Sequence, residues 1–349
     1  MYSIYKIIFF STFLGLFACH KVEPQKAEKE AAPPPKETKQ QISIDEFPNQ
    51  CEVVDSMIKN LEKKISYKNL YKLNTLFKEC LDNVSLKTRY AWYEGSKDIY
   101  QKIIIDASTQ LTQYMTDTYG DREELKPKQK LELYKKLSED EKFLADHAKE
   151  FYLEKFYIGE GEYTFVQHPQ YNLDIFAPHF EKADQIFLQQ ERKEYLGKNY
   201  ILDAGLSISF DEVANRLLFW EKYYHDYPKH YFSSDAKEYI STYRNALFKG
   251  DDNTRVIWYG DNEFTDKEAL KAIRKISKSE TSSSDLAERF LHLVAEKEKE
   301  FKEIRQPIYE SDSNDEYDSP ENTESRKQLE KFSTNLNKTV DEMIEKTPY

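Results

Sequence analysis

Apolar residues recur three and four positions apart through most of the chain, and this spacing places them on one face of an α-helix. The strongest example begins at Ser209, which can form a capping box with Glu212, and ends at Tyr227-Pro228. The chain also has only 9 glycines and 12 prolines, too few for a turn-dense β architecture. The pattern therefore predicts an all-α body over residues 42–309, either an irregular helical bundle or an α-solenoid.

One segment, residues 158–168, departs from the helical spacing. Gly159 and Gly161 interrupt it, and they are followed by aromatic residues at alternate positions, Tyr163 and Phe165. Alternation of this kind is typical of a strand. We expect a short β-hairpin or an ordered aromatic loop here.

Two helices joined by a short turn are predicted over residues 50–82. The turn lies near Ser66, and Cys51 and Cys80 stand almost equally far from it on either side. An antiparallel helix pair would bring both cysteines to its open end, where a disulfide would clamp it. The alternatives are two buried free thiols or metal ligation, although no Cys or His companion lies at a ligand spacing. The helical body then continues over residues 96–309.

The composition changes after Tyr309. Ser, Asp, Asn and Glu dominate residues 310–324, as in acidic disordered segments. A weak amphipathic pattern follows, and such a helix is marginal alone unless it docks on a partner. We expect residues 310–349 to form an acidic, mostly disordered tail. The apolar positions of the weak pattern are Leu329, Phe332, Leu336, Val340 and Met343.

The first residues carry a different apolar pattern. Lys6 precedes a mainly apolar run over residues 7–17, which is too short and wrongly flanked for a spanning helix. The run ends in Leu16-Phe17-Ala18-Cys19. These four residues resemble the lipobox of bacterial lipoproteins, with Leu three positions before the cysteine and a small residue directly before it. The alternative is an ordinary secretory signal with a cysteine there by chance.

The lipobox resemblance implies a location and an anchor. Residues 1–18 would be a signal peptide removed on export, and Cys19 would become a lipidated first residue, held by several acyl chains such as palmitate. In that family an Asp after the cysteine favours the inner membrane, so His20 indicates the outer membrane. Residues 19–41 lack an apolar period and contain Pro33-Pro34-Pro35, which predicts a flexible tether.

A second resemblance covers a short stretch around the strongest helix. It is similar to the helical-repeat, tetratricopeptide-like lipoproteins of the outer-membrane β-barrel assembly and Tol-Pal systems, where a Tyr-Pro turn separates two helices. No clean second copy follows at the tetratricopeptide period of about 34 residues. The resemblance therefore implies a helical-repeat-like fold and no particular binding site. Its residues are Phe219-Trp220, Tyr224, Tyr227-Pro228, Ala236, Tyr239 and Tyr243.

Charge and aromatic content narrow the choice of partner. The formal net charge of −12 gives no basic patch for nucleic acid. The 26 tyrosines and 21 phenylalanines can line a helical core with the tyrosine hydroxyls at its rim. The same residues together with acidic side chains would also make a surface for a protein or a glycan.

The sequence contains no pattern of an enzyme, cofactor or metal site. His225 and His230 are close, but they lack the i, i+4 spacing of helical zinc ligands, and Pro228 lies between them. No nucleophile stands in a catalytic motif. We therefore expect no catalytic residue, no cofactor and no metal.

These observations predict an outer-membrane lipoprotein whose body faces the periplasm and acts as a protein–protein interaction scaffold or adaptor in the cell envelope. The alternative is an acidic lipoprotein inhibitor or immunity protein that neutralises a basic periplasmic or wall-degrading enzyme. A cell-wall hydrolase is the least favoured class.

Overall fold

A computed structural model describes residues 50–120, 123–159, 161–197, 200–258, 264–312 and 320–349. Over these ranges the protein is an all-α, irregular helical bundle that carries small two-stranded sheets, as the apolar spacing predicts. The helices are α1 (Val54–Lys63), α2 (Tyr67–Cys80), α3 (Leu86–Ile105), α4 (Thr109–Thr116), α5 (Pro127–Lys136), α6 (Glu139–Asp146), α7 (Gln170–Ile175), α8 (Lys182–Leu196), α9 (Phe210–Asp226), α10 (Ser233–Phe248), α11 (Lys267–Ser277), α12 (Ser284–Asp312) and α13 (Pro320–Glu345).

Each sheet is an antiparallel hairpin that joins two consecutive helices. Neighbouring hairpins touch: Lys155 Nζ lies 3.9 Å from Glu124 Oε1, and Asn253 Nδ2 donates to the Asp203 carbonyl at 2.6 Å. A Cβ on Gly159 would lie 2.4 Å from Asp203 Oδ1, so this turn needs a glycine, and its φ is 108°. The strands are β1 (Thr118–Tyr119), β2 (Glu123–Glu124), β3 (Leu153–Gly159), β4 (Glu162–Gln167), β5 (Ile201–Leu202), β6 (Gly205–Leu206), β7 (Gly250–Asp251) and β8 (Thr254–Arg255).

The β3–β4 hairpin confirms the predicted break in the helical pattern at residues 158–168. It begins earlier, at Leu153, and pairs Lys155 with Phe165 and Tyr157 with Tyr163. Leu153 and Phe165 are buried in the core, which fixes the register of the hairpin on the helices.

Serine caps set several helix boundaries, and the one at Ser209 confirms the predicted helix start. Ser209 Oγ accepts the Glu212 backbone N–H at 3.2 Å and starts α9. Ser138 and Glu141 form a reciprocal capping box that separates α5 from α6. Both caps satisfy backbone donors that would otherwise lack an intrahelical partner.

α3 begins at Leu86, earlier than residue 96, where the helical body was expected to continue. Ser85 caps it, Trp92 and Tyr93 in its first half are buried, and Trp92 Nε1 donates to Asp55 of α1 at 2.7 Å. Gly95 allows this close packing, since a Cβ there would lie 2.6 Å from Ile58. The apolar residues of α3 spread over more than one face because the helix is covered on several sides.

The expectation of a mostly disordered tail over residues 310–349 is also wrong for α13. The apolar side of α13 packs on α12, and the rings of Phe301 and Phe332 lie 6.3 Å apart. Burial by α12 supplies the stability that such a helix lacks in isolation. α12 itself continues through Pro307 to Asp312. The buried residues of α13 are Phe332, Leu336, Val340 and Ile344, with Ser325.

The predicted signal peptide over residues 1–18 and tether over residues 19–41, with Cys19, lie outside the described residues. Within the described ranges, no helix combines the length and the apolar character that crossing a bilayer requires.

The disulfide between Cys51 and Cys80 joins the 3₁₀ turn Gln50–Val53 to the end of α2, with a Cα–Cα distance of 5.5 Å. It closes the open end of the α1–α2 hairpin, as the near-equal spacing from Ser66 predicts.

Replacing Cys51 by Ala should lower the free energy of unfolding by about 3–4 kcal/mol, because the unfolded chain would no longer contain a closed loop of about 30 residues. Urea unfolding followed by circular dichroism measures the loss, and thiol titration should find one free thiol at Cys80. A native protein with two free thiols would contradict the pairing.

A buried ion pair fastens the C-terminus to the helices. Arg244 Nη2 of α10 lies 2.9 Å from Glu221 Oε1 of α9, and each side chain is 2 % exposed. The same guanidinium donates to Ser283 Oγ at 2.8 Å and to the carbonyls of Thr347 and Pro348 at 3.1 and 2.8 Å. Arg244 is therefore buried with its charge paired and its N–H groups used.

Deleting residues 347–349 should destabilise the protein by about 2–4 kcal/mol, because the buried guanidinium loses two carbonyl acceptors. The matched control is Tyr349→Ala, which keeps both carbonyls and removes only a half-exposed ring 5.3 Å from the Arg244 guanidinium carbon. The Tyr349→Ala substitution should lower the free energy of unfolding by about 1 kcal/mol or less. Equal unfolding midpoints for the truncated and full chains would contradict this role of the C-terminus.

Candidate functional site

Tyrosine hydroxyls donate to carboxylates at many places in this structure, and three such bonds meet between α3, α8 and α10. Tyr90 of α3 donates to Asp184 of α8 at 2.5 Å. In the second bond α3 supplies the acceptor. Tyr231, which lies two residues before α10, donates to Glu94 of α3 at 2.6 Å. The rings of Tyr90 and Tyr231 stack with 3.9 Å between centroids and 1° between planes. The two crossed hydrogen bonds therefore hold α3 against both α8 and α10.

The third bond lies farther along the same cleft. Tyr239 of α10 donates to Glu191 of α8 at 2.8 Å. Asp235 and Lys97 are half-buried beside this pair, and their charges act on Glu191. We call the whole set the tyrosine–carboxylate cleft, and it consists of Tyr90, Glu94, Lys97, Asp184, Glu191, Tyr223, Tyr231, Asp235 and Tyr239.

Negative charge in the cleft is only partly compensated. Burial raises the pKa of Glu191 to about 7, with Asp235 adding to the rise and the Tyr239 hydrogen bond and Lys97 opposing it. Burial also raises the pKa of Asp184 and of Asp235 above the usual range for aspartate. The folded protein thus holds these carboxylates in surroundings that disfavour their ionised form.

Two buried polar atoms of the cleft have no hydrogen-bond partner. One is the hydroxyl of Tyr223 on α9, whose side chain is 2 % exposed. The other is Oδ1 of Asp184, a residue that is fully buried. Burial raises the pKa of Tyr223, and the nearby charges of Asp184, Asp235 and Glu191 raise it further.

A second cluster nearby differs because its polar groups are satisfied. Glu194 of α8 accepts from Trp220 Nε1 at 2.9 Å, from Gln190 at 2.8 Å and from the Tyr243 hydroxyl at 2.5 Å. Arg216 lies 3.9 Å from the same carboxylate. This arrangement ties α8 to α9 and α10 and is structural in character.

The histidines are not assembled into a metal site. His225 is exposed and lies 3.1 Å from Asp226, whereas His230 Nδ1 lies 3.3 Å from Glu181 Oε2. Across the described ranges, no three His, Cys, Asp or Glu residues are grouped so that they could hold a metal ion.

The sequence did not identify the cleft residues. Tyr90 and Glu94 lie between the predicted hairpin at 50–82 and the body predicted from residue 96, and Asp184, Glu191 and Asp235 are ordinary acidic positions on helices. The usable signal was the joint abundance of tyrosine and acid, which indicated a surface of this kind but not where it lies.

No protein-family model matches the chain, and neither the curated proteins nor the solved structures contain a match to it.

The raised pKa of Glu191 predicts that this residue makes stability depend on pH. Below the unfolded-state pKa of about 4.5, Glu191 is protonated in both states and costs nothing. As the pH rises toward the folded-state pKa of about 7, only the unfolded state ionises freely, so the free energy of unfolding falls, and the full penalty is present above pH 7.

Glu191→Gln should therefore raise the melting temperature at pH 8 but not at pH 4, since the amide oxygen can still accept from Tyr239. Calorimetry at both pH values measures this, with the exposed Glu288→Gln as control. An equal shift at the two pH values would contradict the raised pKa.

Proposed function

We propose that the protein is a lipoprotein anchored through Cys19 in the outer membrane, and that its periplasmic body serves as an envelope scaffold or adaptor. The proposed partner is a protein that the body binds at the tyrosine–carboxylate cleft. The anchor is supported by the lipobox-like Leu16-Phe17-Ala18-Cys19. The observation that carries the binding role is the half-buried excess of carboxylate over cation in the cleft.

Tyrosine rings and acidic groups in one cleft suit protein recognition. Tyrosine is enriched at the energetically dominant positions of interfaces, because it buries apolar area and keeps a polar end. Partly compensated carboxylates such as Glu191 and Asp235 favour a positively charged partner and speed its association. A basic segment would therefore gain both contact and charge pairing there.

The same observation favours a second candidate, an inhibitor or immunity protein for a basic enzyme. A net charge of −12 would add long-range attraction to the local charge of the cleft. Stoichiometric loss of the activity of one basic enzyme on adding this protein would distinguish inhibition from scaffolding.

The anchor is tested by replacing Cys19 with Ala, which should release the protein from membranes and abolish palmitate labelling. His20→Asp is the matched variant, since it keeps the cysteine and should move the protein to the inner membrane. Unchanged sedimentation and labelling of the Cys19 variant would rule the anchor out.

The binding surface is tested by photocrosslinking in cells. A photoreactive residue at Glu238, exposed one turn beyond Asp235 on α10, should yield a discrete adduct with a protein partner. The same residue at Glu288, exposed on α12, serves as control. Adducts of equal yield and identity from both positions would exclude the cleft as the specific surface.

A further inference from the structure

We propose that the tyrosine–carboxylate cleft binds an alkylammonium group, with Asp184, Tyr223 and Asp235 as the groups that receive its N–H donors. This inference rests on the proposed protein-binding function and specifies the chemistry that the cleft recognises.

The unpartnered Tyr223 hydroxyl is the observation that indicates a ligand. A buried polar atom without a partner costs free energy, and native proteins rarely leave one without a reason. Tyr223 packs against Phe187 and Tyr227, whose ring centroids lie 5.7 and 5.2 Å away, so its ring has little room to turn. Its buried hydroxyl oxygen has no hydrogen-bond partner and can accept a hydrogen bond from a ligand.

The surrounding groups match the three donors of an ammonium ion. Oδ1 of Asp184 has no hydrogen-bond partner, and the Tyr90 hydroxyl donates to the other oxygen, Oδ2. Asp235 is half-buried on α10, across from α8, and its charge acts on the Tyr223 hydroxyl. An –NH₃⁺ group has three donors and no acceptor, which fits two carboxylates and one phenol oxygen.

Aromatic rings beside the carboxylates suit the alkyl stem that carries such a group. The stacked rings of Tyr90 and Tyr231 offer apolar area beside the carboxylates. A lysine side chain characteristically buries its methylenes along apolar surface while its charged end pairs elsewhere. Entry of the cation would also add to the partial compensation that Lys97 gives Asp235.

The ammonium group has two possible sources, a lysine side chain of the partner protein or a free alkyl diamine. The test uses calorimetric titration of the purified full chain in detergent micelles. The probes are an acetyl-Gly-Lys-Gly amide, the matching norleucine peptide without the charge, 1,4-diaminobutane, and tetramethylammonium, which has no N–H donor.

We expect the lysine peptide or the diamine to bind saturably, and whichever binds better identifies the source. The norleucine peptide should give no saturable heat, and tetramethylammonium should bind at least about tenfold more weakly for want of N–H donors. Equal binding of the lysine and norleucine peptides, or of tetramethylammonium, would overturn the inference.

Two variants locate the site. Tyr223→Phe should weaken binding about tenfold without lowering the melting temperature, because the hydroxyl has no partner to lose in the free protein. Asp184→Asn should abolish saturable binding, and Glu288→Gln should leave it unchanged. Unaltered affinity in Tyr223→Phe would overturn the site even if the Asp184 variant fails to fold.

The outcome is separable from that of the proposed function. If no amine binds while the Glu238 crosslink to a partner persists, the cleft is a protein-binding surface without an ammonium site, and only the inference made here fails.

Discussion

The tertiary structure depends on hydrogen bonds from tyrosine hydroxyls to carboxylates on other elements. Beyond the cleft, Tyr134 of α5 donates to Asp146 of α6, Tyr152 donates to Asp174 of α7, and Tyr243 of α10 donates to Glu194 of α8. Such a bond is charge-assisted, so it is stronger than a bond between neutral groups, and the ring adds apolar burial. A chain rich in both tyrosine and acidic residues can thus join its helices without a large number of aliphatic core residues.

The cleft is the place where this pairing is incomplete. Glu194 has all the partners it needs, whereas the Tyr223 hydroxyl and one oxygen of Asp184 have none. Both environments contain aromatic rings, and they differ in how far the charge is compensated. This difference, rather than the composition of the surface, is why we place recognition between α3, α8 and α10.

Local signals in the sequence predicted much of the fold. The caps at Ser138 and Ser209 fixed helix starts because they act over three residues, and the disulfide followed from symmetry about Ser66. The first half of α3 was not predicted because neighbours cover it on several sides, so its apolar residues do not form one stripe. α13 was expected to be mostly disordered because its stability comes from packing on α12 and not from its own weak apolar pattern.

The cleft could not be predicted either, because its residues lie far apart in the chain. Tyr231 and Glu94 are 137 residues apart in the chain, and Tyr90 and Asp184 are 94 apart. No periodicity in the sequence relates such positions. Only the folded helices bring them together, and only the folded state shows which hydroxyl is left without a partner.

The most direct test of the account is a crosslinked pull-down of the membrane-anchored protein at low and high salt, with the bound proteins identified by mass spectrometry. The account predicts a partner with a basic segment that is recovered at low salt, is lost at high salt and is absent from an Asp235→Asn sample. Recovery of the same partner at both salt concentrations, or from the variant in equal yield, would contradict recognition through the charge of the cleft.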